Sequence, residues 1–203
     1  MNGQQVAAVN LASKALRNHY RMLDLDFIKK EKYKRLQKVA DELLSLNPVD
    51  QKLFFFSTNE LILHKPPERI IQAVSEWVRD RGFLFVYYFS LLEDADLNTV
   101  YQRFSEAKKG KVGSRAYPRL NSESRYLYVG SSRGFIRRVR EHLGYGSKGT
   151  YAMQLAYWTQ ELNLNIQLFC MRFKISINQE VVQAFEDAIW DFVKPMLGRK
   201  GAR

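Results

Sequence analysis

Three observations predict an α+β fold. The pattern changes at Gly82 from helix-rich to alternating strands and helices, two Tyr-bearing β-rich runs lie about forty residues apart, and the last helix carries a wide apolar face. The chain accordingly divides into a mainly helical N-terminal region, 1–81, and a small α+β domain with three strands, 82–203, in which 91–124 form a basic insertion. With 203 residues and 46% hydrophobic composition it can bury a sound core.

Residues 5–47 repeat apolar side chains at spacings of three and four, from Val6, Val9, Leu11 and Leu16 to Phe27, Leu36, Val39, Leu43 and Leu44. This predicts helix, ended by Asn47-Pro48. Two brief apolar runs at 52–56 and 60–63, on either side of Ser57-Thr58-Asn59, suit short strands, although periodicity alone does not separate runs of that length from helix. Pro66-Pro67 opens a helix through Ile70, Ile71, Val74 and Trp77, stopped at Arg81-Gly82. Beyond it, Phe, Val and Tyr mark strands at 83–90 and 125–129 and a third follows at 166–175, while 135–143, 152–162 and 179–193 read as helices. Between the first two strands, Lys108-Lys109-Gly110-Lys111-Val112-Gly113-Ser114-Arg115 reads as a basic loop within a long connection.

The formal charge of +11, with a pI near 9.7, predicts an anionic partner such as nucleic acid or a membrane surface. Between Arg103 and Lys148 stand twelve Lys or Arg against three acids, Glu106, Glu123 and Glu141, so most of the excess sits in under a quarter of the chain. A face kept basic for solubility alone would scatter its charge more evenly. Cys170, the only cysteine, lies in the apolar run Leu168-Phe169-Cys170-Met171, which excludes a disulfide or zinc framework. No basic n-region leads into an apolar stretch at the N-terminus, and no apolar run approaches the roughly 20 residues of a membrane span, so a soluble, cytoplasmic protein without membrane contact is expected.

On the helix at 135–143, about 100° per residue puts Phe135, Ile136, Val139 and Leu143 in an apolar stripe and Arg138 and His142 in a polar row along its edge. Both can face one pocket, where a guanidinium fork would hold two phosphate oxygens and an imidazole would move a proton; as boundary residues they would only reach solvent. On the last helix Glu186 projects between Trp190 and Val193, inside the apolar arc, whereas Asp187 and Asp191 fall on the polar side. A carboxylate so placed needs a cation or hydrogen-bond donors. An Arg or a route to water would serve, and so would Mg²⁺ or Mn²⁺, because Mg²⁺ is often held by one or two carboxylates with waters and substrate phosphate. Tyr87 and Tyr128 lie on neighbouring strands, from which phenols can point into one pocket, although strand tyrosines are commonly core. Lys108, Lys109, Lys111 and Arg115 in the connection, and Ser131, Arg133, Arg137 and Lys148 around the second Tyr run, are the candidates for phosphate contact.

Together these residues resemble the GIY-YIG nuclease family, named for two strand motifs that are followed by an Arg-bearing helix and a later metal-binding Glu. Phe85-Val86-Tyr87 stands at the first motif and Tyr128-Val129-Gly130, followed by Ser131-Ser132, at the second. Arg138 and then His142 hold the helix positions, and Tyr151 falls where some members carry a His. Phe185-Glu186-Asp187-Ala188-Ile189, leading to Lys194-Pro195-Met196-Leu197, looks like the metal-site helix and its Lys-Pro exit. The likeness covers residues 83 to about 200 and departs at two positions: Phe85 replaces the Gly of the first motif, and Gly198 the Asn usual shortly after the Lys-Pro.

The resemblance implies a three-stranded antiparallel sheet flanked by helices, and metal-dependent hydrolysis of DNA phosphodiesters by an activated water. Tyr87, Tyr128, Arg138, His142 and Glu186 would be the catalytic residues. Glu186 would hold Mg²⁺ or Mn²⁺ and Arg138 the non-bridging oxygens, while Tyr87, helped by Tyr128 or His142, would position or deprotonate the water. Such cores are directed by attached elements, so 1–81 is expected to supply targeting, dimerisation or contact with a partner protein, and a restriction or defence role is preferred to repair or mobility. Two readings stay open beside it. One is a catalytically silent nucleic-acid-binding or adaptor protein, which Phe85 and Gly198 favour and the retained site residues oppose. The other is a nuclease acting on RNA, since phosphate contacts are blind to sequence.

Overall fold

A computed structural model of the chain describes residues 25–79, 82–92 and 95–201. The chain divides into two compact units, 1–41 and 42–203. Helix α1 (Leu25–Leu44) begins in the first unit, where Lys34 and Glu31 make a local ion pair of 2.9 Å, and ends ahead of Asn47-Pro48 as its spacing predicts. The helix predicted from residue 5 to 24 lies outside the described residues.

The second unit is built on a four-stranded antiparallel sheet, in the order β1-β4-β2-β3, of β1 (Asp50–Ser57), β2 (Phe83–Leu91), β3 (Tyr126–Ser132) and β4 (Asn165–Lys174). The sequence predicts three strands. The fourth is β1, over the run at 52–56 that suits a short strand outside the predicted α+β domain, and it pairs with β4 from Asp50 opposite Arg172 to Ser57 opposite Asn165. Its period is two, with Phe54 and Phe56 buried and Leu53 and Phe55 exposed, but consecutive phenylalanines conceal that alternation. Helix α2 (Glu68–Trp77), which follows β1, adds Ile70, Ile71 and Val74 to the core, and Trp77 meets Phe54 and Phe85 edge-on while donating to Asp50 Oδ2 at 2.8 Å. The compact units part between 41 and 42, and β1 and α2 belong to the sheet's own core.

The strand period of two sorts β2 between two layers. Phe85, Tyr87, Phe89 and Leu91 face a large core shared with α2, with Phe135, Val139 and Leu143 of α4 (Phe135–Leu143), and with Phe104 of α3 (Leu97–Lys109). Leu84 and Val86 face the other side, where Val182, Phe185 and Ile189 of α5 (Gln179–Val193) close over them and over Phe173. Tyr87 is thereby committed to the α4 face.

Other segments differ from the pattern. Residues 60–63 are not a strand: Thr58–Glu60 is a 3₁₀ turn with a Ser57/Glu60 capping box, and Ile62 and Lys65 form an isolated bridge. The connection 91–124 contains α3, capped by Asp96, which accepts from the Asn98 and Thr99 N–H groups, and burying Val100, Phe104 and Ala107. Lys108 and Lys109 thus sit on its last turn and not in a loop. Residues 152–162 hold only a 3₁₀ turn at Leu155–Tyr157, entered through the buried Gln154 at φ +58°; Ala152, Met153, Leu155 and Ala156 are apolar because they fill the core. Strand β3 runs on to Ser132, paired with Phe85, so Ser131 and Ser132 are strand residues and α4 opens only after Gly134. Among the described residues no helix is long and apolar enough to cross a membrane.

Candidate active site

Tyr87 lies opposite Gly130 in the β2–β3 register. A Cβ at Gly130 would come within 2.8 Å of the Tyr128 ring and 3.0 Å of Tyr87 Oη, so the glycine leaves room for two phenols to converge above it. Their rings stack with centroids 6.5 Å apart and 19° between planes. From α4, His142 reaches in to put Nε2 3.2 Å from Tyr87 Oη, and its Nδ1 accepts the Met153 N–H at 3.4 Å. An acceptor at Nδ1 assigns the ring proton to Nε2, which donates to Tyr87. Both groups are buried. Burial, and then Arg138, hold His142 well below the usual imidazole pKa; burial, and then Tyr128, hold Tyr87 well above the usual phenol. At working pH the pair is a neutral imidazole and a neutral phenol.

Arg138 is the hub. Its Nη1 donates to Glu141 Oε2 at 2.9 Å, and its Nη2 donates to Tyr128 Oη at 3.1 Å and to the Tyr151 carbonyl at 3.0 Å. Glu141, three residues on and 6% exposed, also takes Arg137 Nη1 on Oε1 at 2.8 Å, so one carboxylate aims two guanidinium groups. Burial works against charge on Arg138, but the two phenols and Glu141 outweigh it and raise its pKa further above the ordinary value. A guanidinium carries N–H on all three nitrogens; those on Nη2 are spoken for, leaving Nε–H and one Nη1 hydrogen for a ligand. Tyr128 and Tyr87 each receive a hydrogen bond on oxygen, which frees both hydroxyl hydrogens to point at a ligand as well.

These groups line a cavity of about 920 Å³, and Glu186 lines it from α5. Glu186 lies on the edge of the α5 apolar face, with Oε2 out of solvent contact. Glu141 borders the cavity with both oxygens engaged by arginines, and Glu186 is the second carboxylate on its lining. Among the described residues no group of three or more His, Cys, Asp or Glu comes together. One hard oxygen donor beside room for phosphate and water fits Mg²⁺ or Mn²⁺, which accept few protein ligands.

The two departures from the GIY-YIG pattern have local causes. Phe85 stacks on Phe135 at 4.9 Å, beneath the start of α4. Gly198 adopts φ +105°, where side chains are strained, and a Cβ there would lie 3.1 Å from the Tyr128 ring. The exit segment is instead fastened from the connection: Asn121 Nδ2 donates to the Pro195 and Gly198 carbonyls at 3.0 and 3.1 Å, and Leu120 bridges Leu197. On its other side the Met196 and Leu197 N–H groups bond to the Tyr126 and Leu127 carbonyls, covering the free edge of β3 and holding Tyr128 in place.

Of the residues expected to meet phosphate, Lys108, Ser131, Arg133 and Arg137 line the cavity. Lys109, Lys111 and Lys148 are exposed away from it, and Arg115 is occupied, donating to the Gly146 carbonyl and Gln154 Oε1 and lying over the Tyr157 ring at 4.4 Å. Sequence reasoning missed Arg119, Arg199 and Tyr117 on the lining and Asn121 behind it. Only the local charge density could have pointed to Arg119, because an isolated bridge between residues 77 apart brings it beside Gly198 and Arg199. Comparison of the chain with protein-family models, with characterised proteins and with solved structures matched none of them.

Proposed function

We propose that this chain is a divalent-metal-dependent endonuclease of the GIY-YIG kind that hydrolyses phosphodiester bonds in DNA. The observation that carries the reading is convergence: Tyr87, Tyr128, Arg138 and Glu186, from four different elements, share one cavity, with His142 locked behind Tyr87. Structural roles alone would let each find its own partner elsewhere in the core.

Hydrolysis puts a water oxygen on phosphorus, breaks a P–O ester bond and returns a proton to the departing oxygen. Negative charge builds on the non-bridging oxygens, where Arg138 offers Nε–H and the remaining Nη1–H from a guanidinium already fixed by Glu141, Tyr128 and the Tyr151 carbonyl. Tyr87 and Tyr128 present their hydroxyl hydrogens to the phosphate or to the attacking water. With its pKa raised by burial, Tyr87 orients that water in preference to deprotonating it. Mg²⁺ or Mn²⁺ on Glu186 would supply charge stabilisation and a water of lowered pKa. Gly134, on the lining, starts α4 without a side-chain cap and leaves N–H groups for a phosphate oxygen.

A cleavage panel tests this: duplex, single-stranded and branched DNA and RNA, each with Mg²⁺, Mn²⁺ or EDTA. DNA cut only with metal is the expected result. Cutting confined to RNA makes the chain an RNA nuclease, and DNA binding without cutting under any condition makes it a silent binder.

A further inference from the structure

The same cavity holds cations that the proposed chemistry does not use. Lys108, on the last turn of α3, Arg119 and Arg199 all line it. They come from three distant stretches. The Gly198 N–H bonds to the Arg119 carbonyl at 2.8 Å and Leu197 bridges Leu120, which sets Arg119 and Arg199 at adjoining positions. Lys108 feels both: burial, then Arg199, then Arg119 lower its pKa from the ordinary lysine value. None of the three has a carboxylate within ion-pair distance among the described residues. Arg103, Arg137, Arg138 and Lys200 each have one.

Three like charges gathered without an acid repel one another, so the fold gains nothing from the cluster itself. The α3 C-terminus, a favourable place for a cation, accounts for Lys108 but not for the two arginines. A screened solubility face would be convex and dispersed, whereas these side chains border a concavity whose other residues are set up for phosphate.

We propose that Lys108, Arg119 and Arg199 form a second phosphate subsite, which holds a DNA backbone phosphate flanking the one at Arg138. This rests on the nuclease reading for its substrate class and extends it. The strand must then present at least two adjacent phosphates to the cavity, so a dinucleotide with a single phosphodiester would fill only one of the two subsites.

The test is equilibrium binding of a fluorescein-labelled DNA duplex in EDTA, which needs no catalysis, across a salt series. Wild type is compared with two variants of equal charge loss, K108Q/R119Q/R199Q in the cavity and K109Q/K111Q/K148Q outside it, each checked by thermal unfolding. The cavity triple is expected to lose about tenfold or more in affinity at low salt and to flatten the salt slope by about one, the release expected for one phosphate contact, while the outer triple changes less than about threefold. Equal losses in the two triples, or no binding by the wild-type chain, overturn the subsite. Selective loss in the cavity triple of a protein that never cuts DNA sustains the subsite and removes the nuclease assignment.

Discussion

Two stretches of one cavity lining carry the same charge in opposite ways. On α4, Arg137 and Arg138 share the buried carboxylate of Glu141, and Arg138 is further tied to Tyr128 and to the Tyr151 carbonyl. At the junction of α3 with the Asn121-fastened exit, Lys108, Arg119 and Arg199 make no ion pair with an acid among the described residues. A tied guanidinium gives up part of its net field but gains a fixed direction, which suits charge that develops at one point in a transition state. Untied cations keep their field and lose direction, which suits a polyanionic strand whose contacts are additive and salt-sensitive. On the proposed function, the first stretch is expected to govern rate and the second affinity.

The comparison is broken most severely at Arg138. Arg138→Lys keeps the charge but not the planar fork, and we expect single-turnover cleavage to fall about 10²- to 10³-fold with DNA affinity nearly unchanged. A matched loss of affinity would mean that direction counts for nothing there. Glu141→Gln is next. With one acceptor oxygen in place of two, it should lower the cleavage rate about tenfold, near the value of one charge-assisted hydrogen bond, while binding holds or tightens because a negative charge is gone. A fall in both together would show Glu141 to be structural only.

Gly198→Asn sharpens the account of the exit. It restores the residue usual in GIY-YIG proteins, yet φ +105° and a Cβ contact of 3.1 Å with Tyr128 oppose it, so we expect a destabilisation of about 1–2 kcal/mol by denaturant unfolding and slower cleavage. A gain in activity would overturn the view that Asn121 has taken over the fastening. The smallest effect concerns His142. Because its folded pKa lies well below 6.5, the unfolded chain binds a proton that the folded one refuses. Stability should be complete above about pH 6.5 and decline as pH falls below it, with a shallower decline in His142→Gln, measured by urea midpoints.

What the sequence disclosed and what it hid follow from range. The helices bearing Arg138 and Glu186 were legible because each is a single amphipathic segment whose period declares its buried face, and the strands bearing Tyr87 and Tyr128 because each is a short run rich in Phe, Val and Tyr. Helix α3 was readable in principle from Asp96 at its cap and from Val100, Phe104 and Ala107 at spacings of four and three, but a cluster of lysines and glycines just beyond suggested a loop. The segment 152–156 misled in the other direction, since total burial imitates an apolar helix. Asn121, Arg119 and Arg199 were hidden for a different reason. They are brought together by a bridge between Leu120 and Leu197, and nothing local in either stretch encodes its partner.

The central claim is that Glu186, among the phenols and Arg138, serves a metal-assisted cut. It is tested most directly by single-turnover cleavage of a labelled duplex in Mg²⁺ by wild type beside Glu186→Gln, with affinity measured in EDTA. The account predicts that Glu186→Gln loses about 10²-fold or more in rate while affinity stays within about threefold. Cleavage at the wild-type rate by Glu186→Gln would contradict it.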